Sequence, residues 1–184
     1  MGSRSDISTP AQAPTGWVLG GTLGNEALFF ESNGWAGTPS QDGAYMIGFG
    51  GNGTAGATLS QTFDTVAGVN YTVGYYVTAQ QIGNGPQSYS AEAFNGTTQL
   101  GSDSADVPQA LQWVKHSFDF VATGASSTLR FTDSSNGPAA GNINWALDNV
   151  SVSAVPESST LGLMSLGLAA LAFLKRGKSR SQAL

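Results

Sequence analysis

His116 is the one histidine of the 184-residue chain, cysteine is absent, and the acidic side chains are scattered singly. Hydrolytic or redox chemistry needs a nucleophile, an acid/base pair, a metal or a cofactor held in place, and a Cys/His zinc site cannot be built from one histidine and no cysteine. His116 alternates with Val114, Phe118 and Phe120 in WVKHSFDF, which predicts a hydrogen-bonded side chain on a buried strand face rather than a catalytic base. Asp42, Asp64, Asp103, Asp106, Asp119, Asp133 and Asp148 offer no pair tied to the separation that a glycosidase acid and base require. FGGNGTAG lacks the Lys and Ser/Thr of a phosphate loop and the helical pattern that should follow it. The expectation is therefore a protein that binds rather than one that catalyses, with a small glycan-active hydrolase kept as an alternative.

The binding chemistry on offer is aromatic. Trp17, Trp35, Tyr45, Tyr76, Tyr89 and Trp113 supply rings that can stack on the apolar faces of sugars, while Asn, Gln, Asp and Ser satisfy hydroxyls. Most such rings fill a core. Trp35 and Tyr89 sit beside glycine, serine or proline in expected loops, so these two are the predicted exposed ligand-binding residues.

Strands must position these groups. In VNYTVGYYVTA, Tyr71, Val73, Tyr75 and Val77 share one face, and period two marks a half-buried strand. ATLSQTF puts Leu59 and Phe63 together, STLRFTD does the same for Leu129 and Phe131, and NINWALDNVSV aligns Ile143, Trp145 and Leu147 with Val150 and Val152 in the opposite phase. That phase change predicts a bulge or twist near Asp148 and Asn149. FGGNGTAG, QIGNGPQ and DSSNGPAAGN read as loops, and Asn95-Gly96 reads as a two-residue hairpin turn. Eight or so strands without intervening helices predict an all-β antiparallel β-sandwich of jelly-roll type. A solenoid is the lesser alternative, since no fixed repeat appears.

Between Pro14 and Val155 only Lys115 and Arg130 oppose ten acids, a net charge of −8, which argues against a nucleic-acid partner. The N-terminus has no apolar stretch of signal-peptide kind. Residues 1–13 are expected to be a disordered or truncated segment, 14–154 the sandwich, and 181–184 a disordered tail. From Leu161 to Leu174 every residue except Ser165 is apolar or glycine, and Lys175 and Arg176 follow directly. As a hydrophobic helix, 161–174 would reach about 21 Å, short of a hydrocarbon core of roughly 30 Å. A buried core helix, a short membrane segment and a sorting signal are the three readings of this run, and the lack of a polar face favours the last two.

Two resemblances sharpen this. VPESST, the apolar run and KRGK over 155–180 resemble the C-terminal Pro-Glu-Pro (PEP-CTERM) sorting signal of exported bacterial proteins. Val155, Pro156, Glu157, Ser159 and Thr160 match its motif, Ser158 replaces its second proline, and Lys175, Arg176, Lys178 and Arg180 form its basic end. The resemblance implies recognition by an exosortase, a membrane enzyme of exopolysaccharide-producing bacteria. It also implies a secreted or cell-envelope protein with transient inner-membrane association, although the sequence lacks an N-terminal export signal. Gly16-Trp17, DGAYMIGFGG, LSQTF, YTVGYYV, Trp113 with Phe118 and Phe120, and LDNVSV resemble galactose-binding-like jelly rolls and related carbohydrate-binding modules. Their likeness implies binding of extracellular polysaccharide and a structural calcium, with Asp148 as the metal-ligating aspartate of the last strand and Asp42 in the early partner region. The glutamate-bearing first strand of those modules is absent, which predicts an exposed neighbouring strand edge. A structural or adhesion protein that binds another protein is the second alternative.

Overall fold

The period-two patterns become strands wherever one face can reach a core. A computed structural model describes residues 4–7, 9–23, 27–32, 38–50, 55–80, 87–108, 110–135 and 144–156. Among them are eleven strands: β1 (Arg4–Asp6), β2 (Val18–Gly21), β3 (Leu28–Ser32), β4 (Tyr45–Phe49), β5 (Ala57–Asp64), β6 (Asn70–Ala79), β7 (Ser88–Asn95), β8 (Thr98–Asp106), β9 (Val114–Val121), β10 (Ser126–Asp133) and β11 (Trp145–Ala154). They form a six-stranded sheet in the order β1-β3-β4-β11-β6-β9 and a five-stranded sheet in the order β2-β5-β10-β7-β8. The pairings are antiparallel. Neighbours distant in sequence, such as β4 beside β11 and β5 beside β10, give the crossed connections of a two-sheet jelly roll. The chain divides into two compact units, Met1–Ser153 and Ala154–Leu184. The sandwich is the first.

The inner faces interleave as the alternation requires. Val73, Tyr75 and Val77 of β6 are fully buried opposite Leu59, Leu129 and Phe131 of the other sheet. Trp145 stacks on Phe49, its register partner on β4, at 4.3 Å between ring centroids, and also meets Tyr89 of the opposite sheet at 5.4 Å. Each large side chain buried this completely contributes roughly 1.5–3 kcal/mol. The expected phase change is present: Trp145 and Leu147 point inward, Val150 and Val152 pack against the core in the other phase, and Asn149 between them has φ 51°.

The N-terminal expectation needs correction. Arg4–Asp6 pairs with β3, Ile7 is buried in the core cluster, and Pro10–Gln12 makes one 3-10 turn whose start is held by Thr9 N–H donating to Gln12 Oε1 at 3.0 Å. An unpaired strand edge accepts any chain that can reach it, and one apolar anchor holds β1 there, so the β3 edge is covered. The apolar run 161–174 lies outside the described residues. Among the described residues, no helix is long and apolar enough to cross a membrane.

Candidate ligand-binding site

One mouth of the sandwich is shaped by three special backbone positions. In Pro14-Thr15-Gly16-Trp17, Trp17 N–H donates to the Pro14 carbonyl at 2.9 Å and Gly16 has φ 85°, the mark of a type II turn with glycine at its third position. This turn sets the Trp17 ring 6.5 Å from Phe131 at the edge of the core. Across the mouth, Gly43 (φ 60°) stands two residues before Tyr45, which is 64% exposed. The left-handed Asn149 turns β11 beside it. Between the sheets opens a cleft of about 240 Å³ with Ile47, Leu59, Leu147 and Val150 as its floor and Trp17, Tyr45, Asp148 and Asn149 at its rim. Its chemistry is that of an aromatic and aliphatic slot with a polar lip.

Asp148 does a structural task at that lip. Its Oδ2 accepts from Gln41 N–H at 2.8 Å and Asp42 N–H at 3.1 Å, and its Oδ1 accepts from Asn149 N–H at 2.7 Å. The structure thus brings Asp42 and Asp148 together, but through the Asp42 amide, while Asp42 as a residue remains exposed. A carboxylate already facing three N–H donors has little lone-pair capacity left for a cation, and calcium needs six to eight oxygens. Among the described residues, no group of three or more His, Cys, Asp or Glu side chains is placed to hold a metal. As placed, these two residues fit a turn-capping carboxylate better than a calcium shell.

The same turn explains Trp113. Its indole N–H donates to the Pro39 carbonyl at 2.8 Å, so the 38–42 segment is tied to the residue before β9 at one end and to Asp148 of β11 at the other.

Tyr89 is not an exposed ring. It is 1% exposed, packs edge-on to Tyr75 and meets Trp145, and burial pushes its hydroxyl up to about 12. The reason is phase: the strand begins at Ser88, so Tyr89 falls on the inward register together with Ala91 and Ala93. Trp35 lies outside the described residues. The rings that do reach the mouth, Trp17 and Tyr45, were only two of six aromatic candidates in the sequence. The usable signals were Gly16 directly before Trp17 and Gly43 two residues before Tyr45.

His116 has the hydrogen-bonded strand role its alternation predicts. Its Nδ1 lies 3.3 Å from Asp103 Oδ2, which also accepts from Tyr75 Oη at 2.7 Å. Tyr75 and His116 belong to the six-stranded sheet and Asp103 to the other, so the cluster is a polar tie between sheets. Burial, then hydrogen bonding to Tyr89 and Asp103, holds the Tyr75 hydroxyl far above the usual tyrosine range.

Neither Arg130 nor Lys115 is among the residues that line the mouth. Arg130 Nη2 donates to Glu92 Oε2 at 2.9 Å while its guanidinium sits 4.4 Å from the Phe94 ring centre. Lys115 is exposed on β9. Val155 and Pro156 are exposed just past β11. The rest of the sorting motif, Glu157, Ser158, Ser159, Thr160, Lys175, Arg176, Lys178 and Arg180, lies outside the described residues.

No family model matches the sequence, and no curated protein is similar to it. Solved structures do share the fold. TmCBM61 in complex with beta-1,4-galactotriose is similar over 77% of this chain and 92% of its own, at 16% identity and TM-score 0.59. The CBM22-1 xylan-binding domain from Paenibacillus barcinonensis Xyn10C is similar over 85% and 95%, at 15% identity and TM-score 0.52. The K1 cleaved adhesin domain of Lys-gingipain from Porphyromonas gingivalis W83 is similar over 85% and 99%, at 13% identity and TM-score 0.54. The chain therefore has an all-β, two-sheet antiparallel fold common to carbohydrate-binding modules and an adhesin domain.

Proposed function

We propose that this protein is a non-catalytic carbohydrate-binding protein, exported and sorted through its C-terminus to the envelope or extracellular matrix. The binding part rests on the cleft rimmed by Trp17 and Tyr45, set in a fold shared with modules solved as galactotriose- and xylan-binding domains. Stacked rings bind the C–H faces of sugars while an amide at the lip, here that of Asn149, orients hydroxyls. Affinity electrophoresis of the full chain in gels carrying neutral polysaccharides tests this. Retardation is expected, and Tyr45→Ala should weaken it about tenfold or more, the size of one aromatic anchor. Sugar release abolished by a carboxylate substitution would instead favour the hydrolase alternative.

A protein-binding adhesion role is the second reading, favoured by the likeness to the gingipain adhesin domain. Capture of a protein without any glycan binding would select it.

The sorting part rests on VPESST, the apolar run and the basic end. In a host with an exosortase and a supplied secretion signal, Pro156→Ala/Glu157→Ala should leave membrane insertion intact and let unprocessed protein accumulate in a pulse-chase. Equal processing of parent and variant would remove the motif from the account. Calcium at Asp148 would require the carboxylate to exchange its N–H donors for the ion. Calorimetry should then show weaker calcium binding for Asp148→Asn, and equal affinity would exclude Asp148 from any shell.

A further inference from the structure

The floor of the cleft is the wrong chemistry for an ordinary hexose. Ile47, Leu59 and Leu147 are 9%, 2% and 2% exposed and offer no hydrogen-bond partner, so a sugar hydroxyl pressed against them loses its water without compensation. A methyl group loses nothing there and removes apolar surface from water. The rim differs from the floor: Trp17 and Tyr45 present rings, and Asp148 and Asn149 present polar groups, so a pyranose ring entering this slot would have its hydroxyls at the lip and its least polar substituent inward. At about 240 Å³ the cleft is smaller than the roughly 300–1,000 Å³ that encloses a whole drug-sized ligand, which suits one ring of a longer chain.

Charge narrows the ligand further. Asp148 is the carboxylate at the mouth, and no lysine or arginine is among the residues that line it. An acidic sugar would meet a like charge there with no cation in the lining to offset it.

We propose that the cleft selects an uncharged sugar residue bearing a methyl group, as a 6-deoxyhexose or an N-acetylhexosamine. The inference rests on the carbohydrate-binding reading and adds to it the substituent that the floor recognises. Both sugar classes offer the same chemistry, a methyl on a neutral ring, and the test separates them.

The experiment is calorimetric titration of the full chain with free monosaccharides, which carry no aglycone methyl, in matched pairs: L-rhamnose against L-mannose, L-fucose against L-galactose, and N-acetylglucosamine against glucose, with galacturonic acid as the charged control. At least one methyl-bearing member should bind tenfold or more tighter than its partner, the discrimination that one such group earns in an apolar pocket. The uronic acid should not bind. A deoxy-sugar preference assigns one source and an acetamido preference the other. Tyr45→Ala, at a residue exposed enough to leave the fold intact, should abolish the preferred binding. Binding of polysaccharide with equal affinities within every pair overturns this inference and leaves the broader reading standing. A methyl preference unchanged in both Tyr45→Ala and Trp17→Ala also overturns it, because the ligand then sits elsewhere. If the chain retards on no polysaccharide and binds no monosaccharide, both fall.

Discussion

Asp133 shows how a single buried group trades stability for arrangement. It is 1% exposed; Oδ1 accepts from Ser135 Oγ at 2.6 Å and from Ser135 N–H at 3.1 Å, while Oδ2 has no hydrogen-bond partner. The Trp145 indole lies close enough to favour the charge without completing a hydrogen bond. Burial dominates and raises the carboxyl above its ordinary value of 3.8. The sign follows from proton counting. Between 3.8 and the raised folded value, the folded state holds the proton that the unfolded state has lost, so stability increases as pH falls through that window. Above it, the charged buried form is a net cost. Asp133→Asn should therefore raise the melting temperature at pH 7 by about 2–4 °C, the shift expected for roughly 1 kcal/mol in a chain of this size. It should also flatten the acid-side gain. Scanning calorimetry at stepped pH checks both, and a lower melting temperature at pH 7 would show that the Ser135 contacts outweigh the desolvation cost.

Elements here are set by backbone positions that tolerate few side chains. Asn149 holds φ 51° at the β11 phase change, and a left-handed residue with a β-branched side chain costs about 1–2 kcal/mol more than one that visits this region readily. Asn149→Val should lower stability by that amount in urea titration, whereas Asn149→Gly should be close to neutral. Gly101 on β8 is constrained from outside: a Cβ there would lie 2.6 Å from the Asp119 carbonyl oxygen and 3.0 Å from Phe120 Cβ on β9. Both neighbours sit in a paired strand, and overpacking of this kind costs about 1–3 kcal/mol. Gly101→Ala should therefore shift the urea midpoint down, with accelerated hydrogen exchange along β8 and β9; exchange unchanged there would mean that the edge yields freely. The polar tie of Tyr75, Asp103 and His116 joins the two sheets where β8 and β9 approach.

For the molecule as a whole, the N-terminal strand closes an edge. A chain beginning at Pro10 would lose the burial of Ile7, roughly 1.5–3 kcal/mol, and would leave β3 without its neighbour, an invitation to pair with another molecule. Lower melting temperature together with concentration-dependent light scattering is the expected outcome. A monomeric, equally stable shortened chain would show that β1 is dispensable.

What the sequence determined by itself was everything that depends on period and punctuation. The faces of β5, β6, β9, β10 and β11 were legible because side chains alternate strictly along a strand, and the phase change at Asn149 was legible because Trp145 and Leu147 fall out of phase with Val150 and Val152. The hairpin joining β7 to β8 was legible from its glycine, but one residue off: Asn95 pairs with Thr98 as a strand residue, and Gly96 and Thr97 make the two-residue turn. β1 was not, since three residues carry no period and their strand exists only because β3 offers an unpaired edge. The candidate site was least legible. Proximity to glycine and proline marked Tyr89 as exposed, but exposure is decided by register against a second sheet, and that register turns Tyr89 inward onto Trp145. Trp17 and Tyr45 meet at one mouth although 28 positions separate them, and Asp148 receives amides from residues 106 and 107 positions away. Contacts of that separation follow from which strands become neighbours, a choice made by the packing of two whole sheets and by no local pattern.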